Sequence, residues 1–173
     1  MPFTPYHFGP SGFIGLVFGK WIDLPVFLLA NVVVDVEVLV IEILRLGRPE
    51  HRYCHTLLIG GAVGAIWGLA AHRLRPSFER MMQALSVPYH TSLPKMVVAG
   101  ILGVWLHVLI DGLYHYDVMI FWPFKTAWLS QTLQGHITKK WIEAMCIFFF
   151  AAAVVFYISV FAVSRKNRCK GNE

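Results

Sequence analysis

Charge is scarce in this chain. Asp, Glu, Lys and Arg together make up 14% of the 173 residues, where a soluble domain carries about a quarter. An ordinary soluble fold is therefore excluded. Cysteine is scarce too: Cys54, Cys146 and Cys169 are odd in number and far apart, which excludes a disulfide framework. The opening MPFTPYHFGPSG has no Lys/Arg n-region and holds Pro2, Pro5 and Pro10, so no cleaved signal peptide is predicted. Proline at position 2 and the ending NRCKGNE leave no lipidation motif. There is no internal repeat, no low-complexity linker and no basic–aromatic module. The net charge of +5 therefore implies attraction to anionic lipid headgroups, with no nucleic-acid partner.

What is abundant is apolar sequence, in blocks. The chain is 57% hydrophobic with a mean hydropathy of +0.59. Four stretches approach the roughly 20 residues a spanning helix needs: 24–46, 55–72, 95–115 and 141–164. A shorter apolar piece, Phe13 to Phe18, follows the Gly/Pro-rich FGPSG and is too short to span; it predicts a short helix dipping into the membrane. The fold class is thus an all-α integral membrane protein, with about four transmembrane helices and a short N-terminal helix, in one domain over 1–173. The middle of 73–95, Phe78 to Leu85, is amphipathic and predicts an interfacial segment. The glycines of IGGAVGAIWG (59–68) predict close helix packing. Lipids are the expected surroundings. Arg73, Arg75, Arg80, Lys95 and the tail's Arg165, Lys166, Arg168 and Lys170 slightly outnumber the basic residues of the other connections, which predicts a cytoplasmic C-terminus.

Ionisable residues inside these blocks demand an explanation. Asp35 and Glu37 sit in VVVDVEVLV, and His107 and Asp111 sit in VWLHVLIDG. An ionised side chain at mid-bilayer costs about 2.5–3.5 kcal/mol on insertion scales, so three carboxylates would cost on the order of 8–10 kcal/mol. A cation, a watery cavity or protonation must offset that. His107 and Asp111 are four apart and share one helix face, and His115 continues the stripe. Asp35 and Glu37 are two apart, about 200° around an ideal helix; for both to point inward the helix must end or unwind there. His51, Arg52 and His55 form HRYCHT at the mouth of the second block, the two histidines sharing a face if the helix reaches back to 51. Histidine and carboxylate together suit zinc or another first-row divalent metal. His72, His90 and His136 read as surface residues, and Cys54 as a buried structural thiol. From Ala144 to Val163 there is no ionisable Asp, Glu, Lys, Arg or His, so 141–164 reads as an anchor followed by a basic tail, 165–173.

The order His7, Asp35-Val-Glu37, His51-Arg52…His55-Thr56, His107…Asp111 and Trp122-Pro123 resembles the YdjM-like membrane-bound metal-dependent hydrolases over about 1–124. More loosely it resembles the zinc-dependent phospholipase C fold. The first resemblance implies a prokaryotic inner membrane and metal ligation by His7, Asp35, Glu37, His51, His55, His107 and Asp111. Three positions depart from the family pattern: Val34 replaces a proline, Val38 follows the second acid, and His51 and His55 are one residue closer than usual. The expected function is hydrolysis of an ester or phosphoester, of a lipid or another amphiphile. Zinc, or alternatively manganese, would activate water. Asp111 or Glu37 would orient or deprotonate it, and Arg52 would neutralise developing charge. The rival is a non-catalytic accessory subunit of a larger membrane complex with a relict metal site. A haem site leaves Asp35 and Glu37 unexplained. A phosphatidic-acid-type phosphatase fails because 98–106, VAGILGVWL, has no arginine.

Overall fold

A computed structural model describes residues 4–47, 51–115, 117–124 and 138–170. A 3₁₀ turn, Thr4–His7, leads into α1 (Phe8–Val17). Then follow α2 (Leu24–Ile43), α3 (Leu57–Ala71), α4 (Arg75–Ala84), α5 (Leu93–Tyr114) and α6 (Lys139–Lys170). Among the described residues no strand occurs. Four helical runs are long and apolar enough to cross a membrane: Leu24–Ile43, Leu57–Ala84, Leu93–Tyr114 and Lys139–Ala162. Phe8–Val17 is apolar but short. The class expected from the sequence is the class observed.

Two boundaries differ from expectation. The glycine- and proline-rich FGPSG is part of α1 rather than a break before it. Pro10 lies in the first turn, where a missing N–H costs no intrahelical bond. Gly9 is required there for another reason: a side chain would collide with the backbone of Cys146 on α6. The second span also continues past 72, because His72–Leu74 forms a 3₁₀ turn that hands directly to α4. In α4 Phe78 and Met82 are buried, while Arg75 and Glu79 pair 2.7 Å apart on the outside. That one-sided burial agrees with the amphipathic reading.

Packing is set by small residues. A Cβ on Gly64 would sit 2.5 Å from the Gly100 carbonyl oxygen, and one on Gly103 2.6 Å from that of Phe27. α5 therefore lies backbone to backbone against both α3 and α2, as small-residue faces permit in membranes. Two indoles seal the contacts: Trp67 donates to the Val26 carbonyl at 3.0 Å and Trp105 to that of Leu57 at 2.9 Å. α6 packs mainly along α1 and leaves Ile147, Phe148, Val155 and Ile158 exposed, an apolar face for lipid.

Candidate metal centre

The site grows from three elements that converge away from the Asp23 end of the bundle. α5 supplies His107 and Asp111 from one face, as the four-residue spacing requires. α2 supplies Asp35 and Glu37. The segment 51–56 supplies His51 and His55. Thr56 explains how the last is placed. Its hydroxyl caps α3 by accepting from the Ile59 N–H at 3.1 Å and donates to the Tyr53 carbonyl at 2.9 Å. His55 is thus fixed one residue before the cap of α3. α3 does not reach back to 51, so the two histidines do not share a helix face; they lie in a turn.

α2 neither ends nor unwinds at Asp35. It runs unbroken to Ile43, about 12 Å beyond that residue. The loop comes to the helix instead. His55 lodges between the two acids, with Nε2 3.6 Å from Asp35 Oδ1 and Nδ1 3.2 Å from Glu37 Oε2. Glu37 also accepts from the backbone N–H groups of Arg52 (3.3 Å) and Cys54 (3.1 Å), pinning the loop. Non-helical backbone next to a membrane helix needs such partners. Val34, which does not interrupt a helix as proline would, fits this continuity.

At the centre, His107 Nε2 is 2.9 Å from Asp111 Oδ2 and 3.1 Å from Asp35 Oδ1. His55 Nε2 is 3.7 Å from Asp111 Oδ2, and His7 Nε2 is 3.1 Å from Asp111 Oδ1. One ligand atom from each of Asp35, His55, His107 and Asp111 falls within a 4.8 Å cluster. His55 and His107 have fully buried side chains and Asp111 is 3% exposed, whereas Asp35 is 23% exposed. Distance and direction disagree here in an informative way. His55 Nε2, both nitrogens of His7 and His107, and Asp111 Oδ1 are buried without an aligned hydrogen bond among the described residues. Their lone pairs and N–H directions miss the nearby atoms. Buried polar atoms are rarely left so; a cation shared by the Nε2 atoms of His55 and His107 would account for those two, while the Nδ1 atoms point the other way around their rings. The donor set, two imidazoles and two carboxylates, is one that holds zinc, manganese or a similar ion.

Of the residues expected to ligate, Asp35, His55, His107 and Asp111 form the core. His7, stacked on His107 with centroids 4.3 Å apart, touches it through Asp111. Glu37 stands behind His55, and His51 stands beside the core, 3.9 Å from Asp111 Oδ2. Arg52 donates its guanidinium to the carbonyls of Leu46 (3.0 Å) and Gly47 (3.4 Å), closing the turn after α2. Cys54 is half-buried; burial and the Glu37 carboxylate push its thiol up to about 11, which disfavours a thiolate ligand. Of the three histidines read as surface residues, His90 is exposed, His72 is half-buried and His136 lies outside the described residues.

Asp117 had no place in the sequence reading. It accepts from His51 Nδ1 at 3.1 Å and, more weakly, from the His51 N–H at 3.4 Å. Burial favours its neutral form, but the His51 imidazole outweighs that and holds the carboxyl below its usual range. The signal was its place: a carboxylate just beyond the helix that carries two ligands. For His55, burial lowers the pKa, yet Asp35 and Glu37 together raise it overall. For His115 burial dominates and lowers it to about 4, leaving a neutral ring.

Fold and site together define a multi-pass helical membrane protein with a buried His–carboxylate cluster able to hold a metal ion. Residues 13–168 match the family described as YdjM inner membrane protein, and the chain belongs to that family. His7 lies just ahead of the matched region. A 77-residue stretch, 44% of the chain, is also 29% identical to Hyperosmolality-gated Ca2+ permeable channel 2.2 of Arabidopsis thaliana. That stretch covers 10% of the channel protein. No solved structure matches the chain. The looser likeness to the zinc-dependent phospholipase C fold gains nothing from these matches.

Proposed function

We propose that the protein is a metal-dependent hydrolase of the inner membrane, acting on an ester or phosphoester of a lipid or other amphiphile. One observation carries this reading. Four metal-type ligands from three separate elements meet in a buried cluster in which the Nε2 atoms of His55 and His107 have no hydrogen-bond partner. Asp35, His55, His107 and Asp111 would hold a divalent cation, zinc being the leading candidate. Such an ion, when bound, polarises an ester or phosphoryl oxygen and makes a neighbouring water acidic.

The chain's own groups then have separate tasks. Glu37 holds the Nδ1–H of His55 and turns its Nε2 toward the centre; such a carboxylate behind a ligating histidine fixes its tautomer. Asp111, buried on α5, presents one oxygen to His7 and the other to His107. Asp111 or Glu37 would orient or deprotonate the attacking water, and Asp35, the most exposed of the four, lies at the edge where that water would stand. Packed helices on the other sides exclude bulk water. A site flanked by lipid-facing helices suits a substrate with an apolar tail.

The test is hydrolysis of ester and phosphodiester amphiphiles in mixed micelles by the detergent-purified chain. Activity that needs added zinc or manganese, disappears with a chelator and is absent from His107→Ala supports the proposal. A chain that stays folded and metal-loaded yet is inert across both bond classes, and that travels with other subunits, would contradict it in favour of an accessory role.

A further inference from the structure

Three potential ligands beside the core are unused by a one-ion centre. His51, His115 and Asp117 each offer one ligand atom within a second 4.8 Å cluster. We propose that the site takes two divalent cations, the second at His51, His115 and Asp117, and that its substrate is a phosphoester. This rests on reading the first cluster as a metal centre.

Geometry joins the two clusters. His51 Nε2 is 3.9 Å from Asp111 Oδ2, and the His51 ring lies 4.7 Å from that of His55 and 4.4 Å from that of His115. His51 is therefore packed between the first group and His115. Asp117 is 19% exposed and Asp35 23%, so each group has one carboxylate at the edge of the buried cluster. There a substrate could enter.

A simpler role for Asp117 is to orient His51 through the hydrogen bonds it accepts. That accounts for two of the three residues. It leaves His115 unexplained, because His115 Nε2 is buried with no hydrogen-bond partner among the described residues. A second cation accounts for all three, since two imidazoles and a carboxylate form a common ligand set for first-row metals. Paired ions are suited to phosphoesters because they stabilise the attacking and the leaving oxygen together. A carboxylic ester gains less from the second ion.

The test is metal stoichiometry on the full chain, with manganese as the probe. Purified protein is loaded, desalted and analysed for metal per chain, beside His115→Ala, Asp117→Asn and Asp111→Ala. Two equivalents in the wild type, one in each of the first two variants and fewer than one in Asp111→Ala is the expected pattern. Asp117→Asn keeps an acceptor for His51 and so separates ligation from orientation, even if His115→Ala folds poorly. Electron paramagnetic resonance gives a second readout: a spin-coupled manganese signal in the wild type that reverts to isolated manganese in Asp117→Asn. One equivalent in the wild type, unchanged by either variant, overturns the second cation and leaves the first standing. No bound metal in the wild type overturns both.

Discussion

Asp23 and Asp111 are both almost fully buried, 0% and 2% exposed, and they differ in what surrounds them. Asp23 caps α2 by accepting from the Val26 N–H at 3.2 Å, and it also accepts from the hydroxyls of Tyr89, at 2.8 Å, and Thr91. Nearby, Lys95 donates to the carbonyls of Gly19 and His90. Each of these groups has a well-aligned partner, so that end of the molecule is complete as it stands. Asp111 instead faces ring nitrogens at 2.9–3.9 Å, and its Oδ1 and the Nε2 atoms of His7, His55 and His107 have no aligned hydrogen bond among the described residues. Burial and charge are the same in kind; satisfaction is not. Asn31 behaves like Asp23, donating to Ser11 Oγ at 3.0 Å and to the Leu28 carbonyl at 2.8 Å. In a buried setting, saturated polar groups fasten helices, and unsaturated ones that converge wait for a ligand.

The contrast can be broken by experiment. The largest effect should come from chelation. A ligand present at about a thousand times its dissociation constant stabilises by about 4 kcal/mol. Stripping metal should therefore lower the melting temperature of the wild type by several degrees and leave Asp111→Ala unmoved. Equal loss in both would mean the chelator acts elsewhere. Next, Asp23→Ala removes the shared acceptor of three donors and should destabilise by about 3 kcal/mol, with metal content per folded chain unchanged. If metal were lost as well, the two ends would not be independent. Glu37→Gln should weaken metal affinity by about 10–100-fold while keeping the stoichiometry, as expected when the group behind a ligating histidine is altered. The smallest effect belongs to Asn31→Leu, which should cost about 1 kcal/mol, the scale of one interhelical hydrogen bond in a membrane protein, and leave metal binding untouched.

Much of this was legible before any coordinates. Apolar blocks located the spans because the bilayer sets their length. The i,i+4 pair His107 and Asp111 announced a polar face because helix geometry fixes which residues are neighbours. Thr56 after His55 is a capping residue in plain view. The rest was hidden for physical reasons. Whether α2 breaks at Asp35 depends on where the 51–56 loop travels, and no local periodicity records that. The helical reading of FGPSG needed Gly9 to be seen against α6, a contact between residues more than 130 apart. Nothing local marks Asp117, because its partner, His51, is 66 residues away.

The central claim is that the unsatisfied cluster holds metal, and it is tested most directly by elemental analysis of the detergent-purified protein beside a His107→Ala/Asp111→Ala variant. Near-stoichiometric zinc or manganese in the wild type, absent from a variant that still elutes as a folded species, is the predicted result. No metal in either protein after loading would contradict the account, and the cluster would then be held together by protons alone.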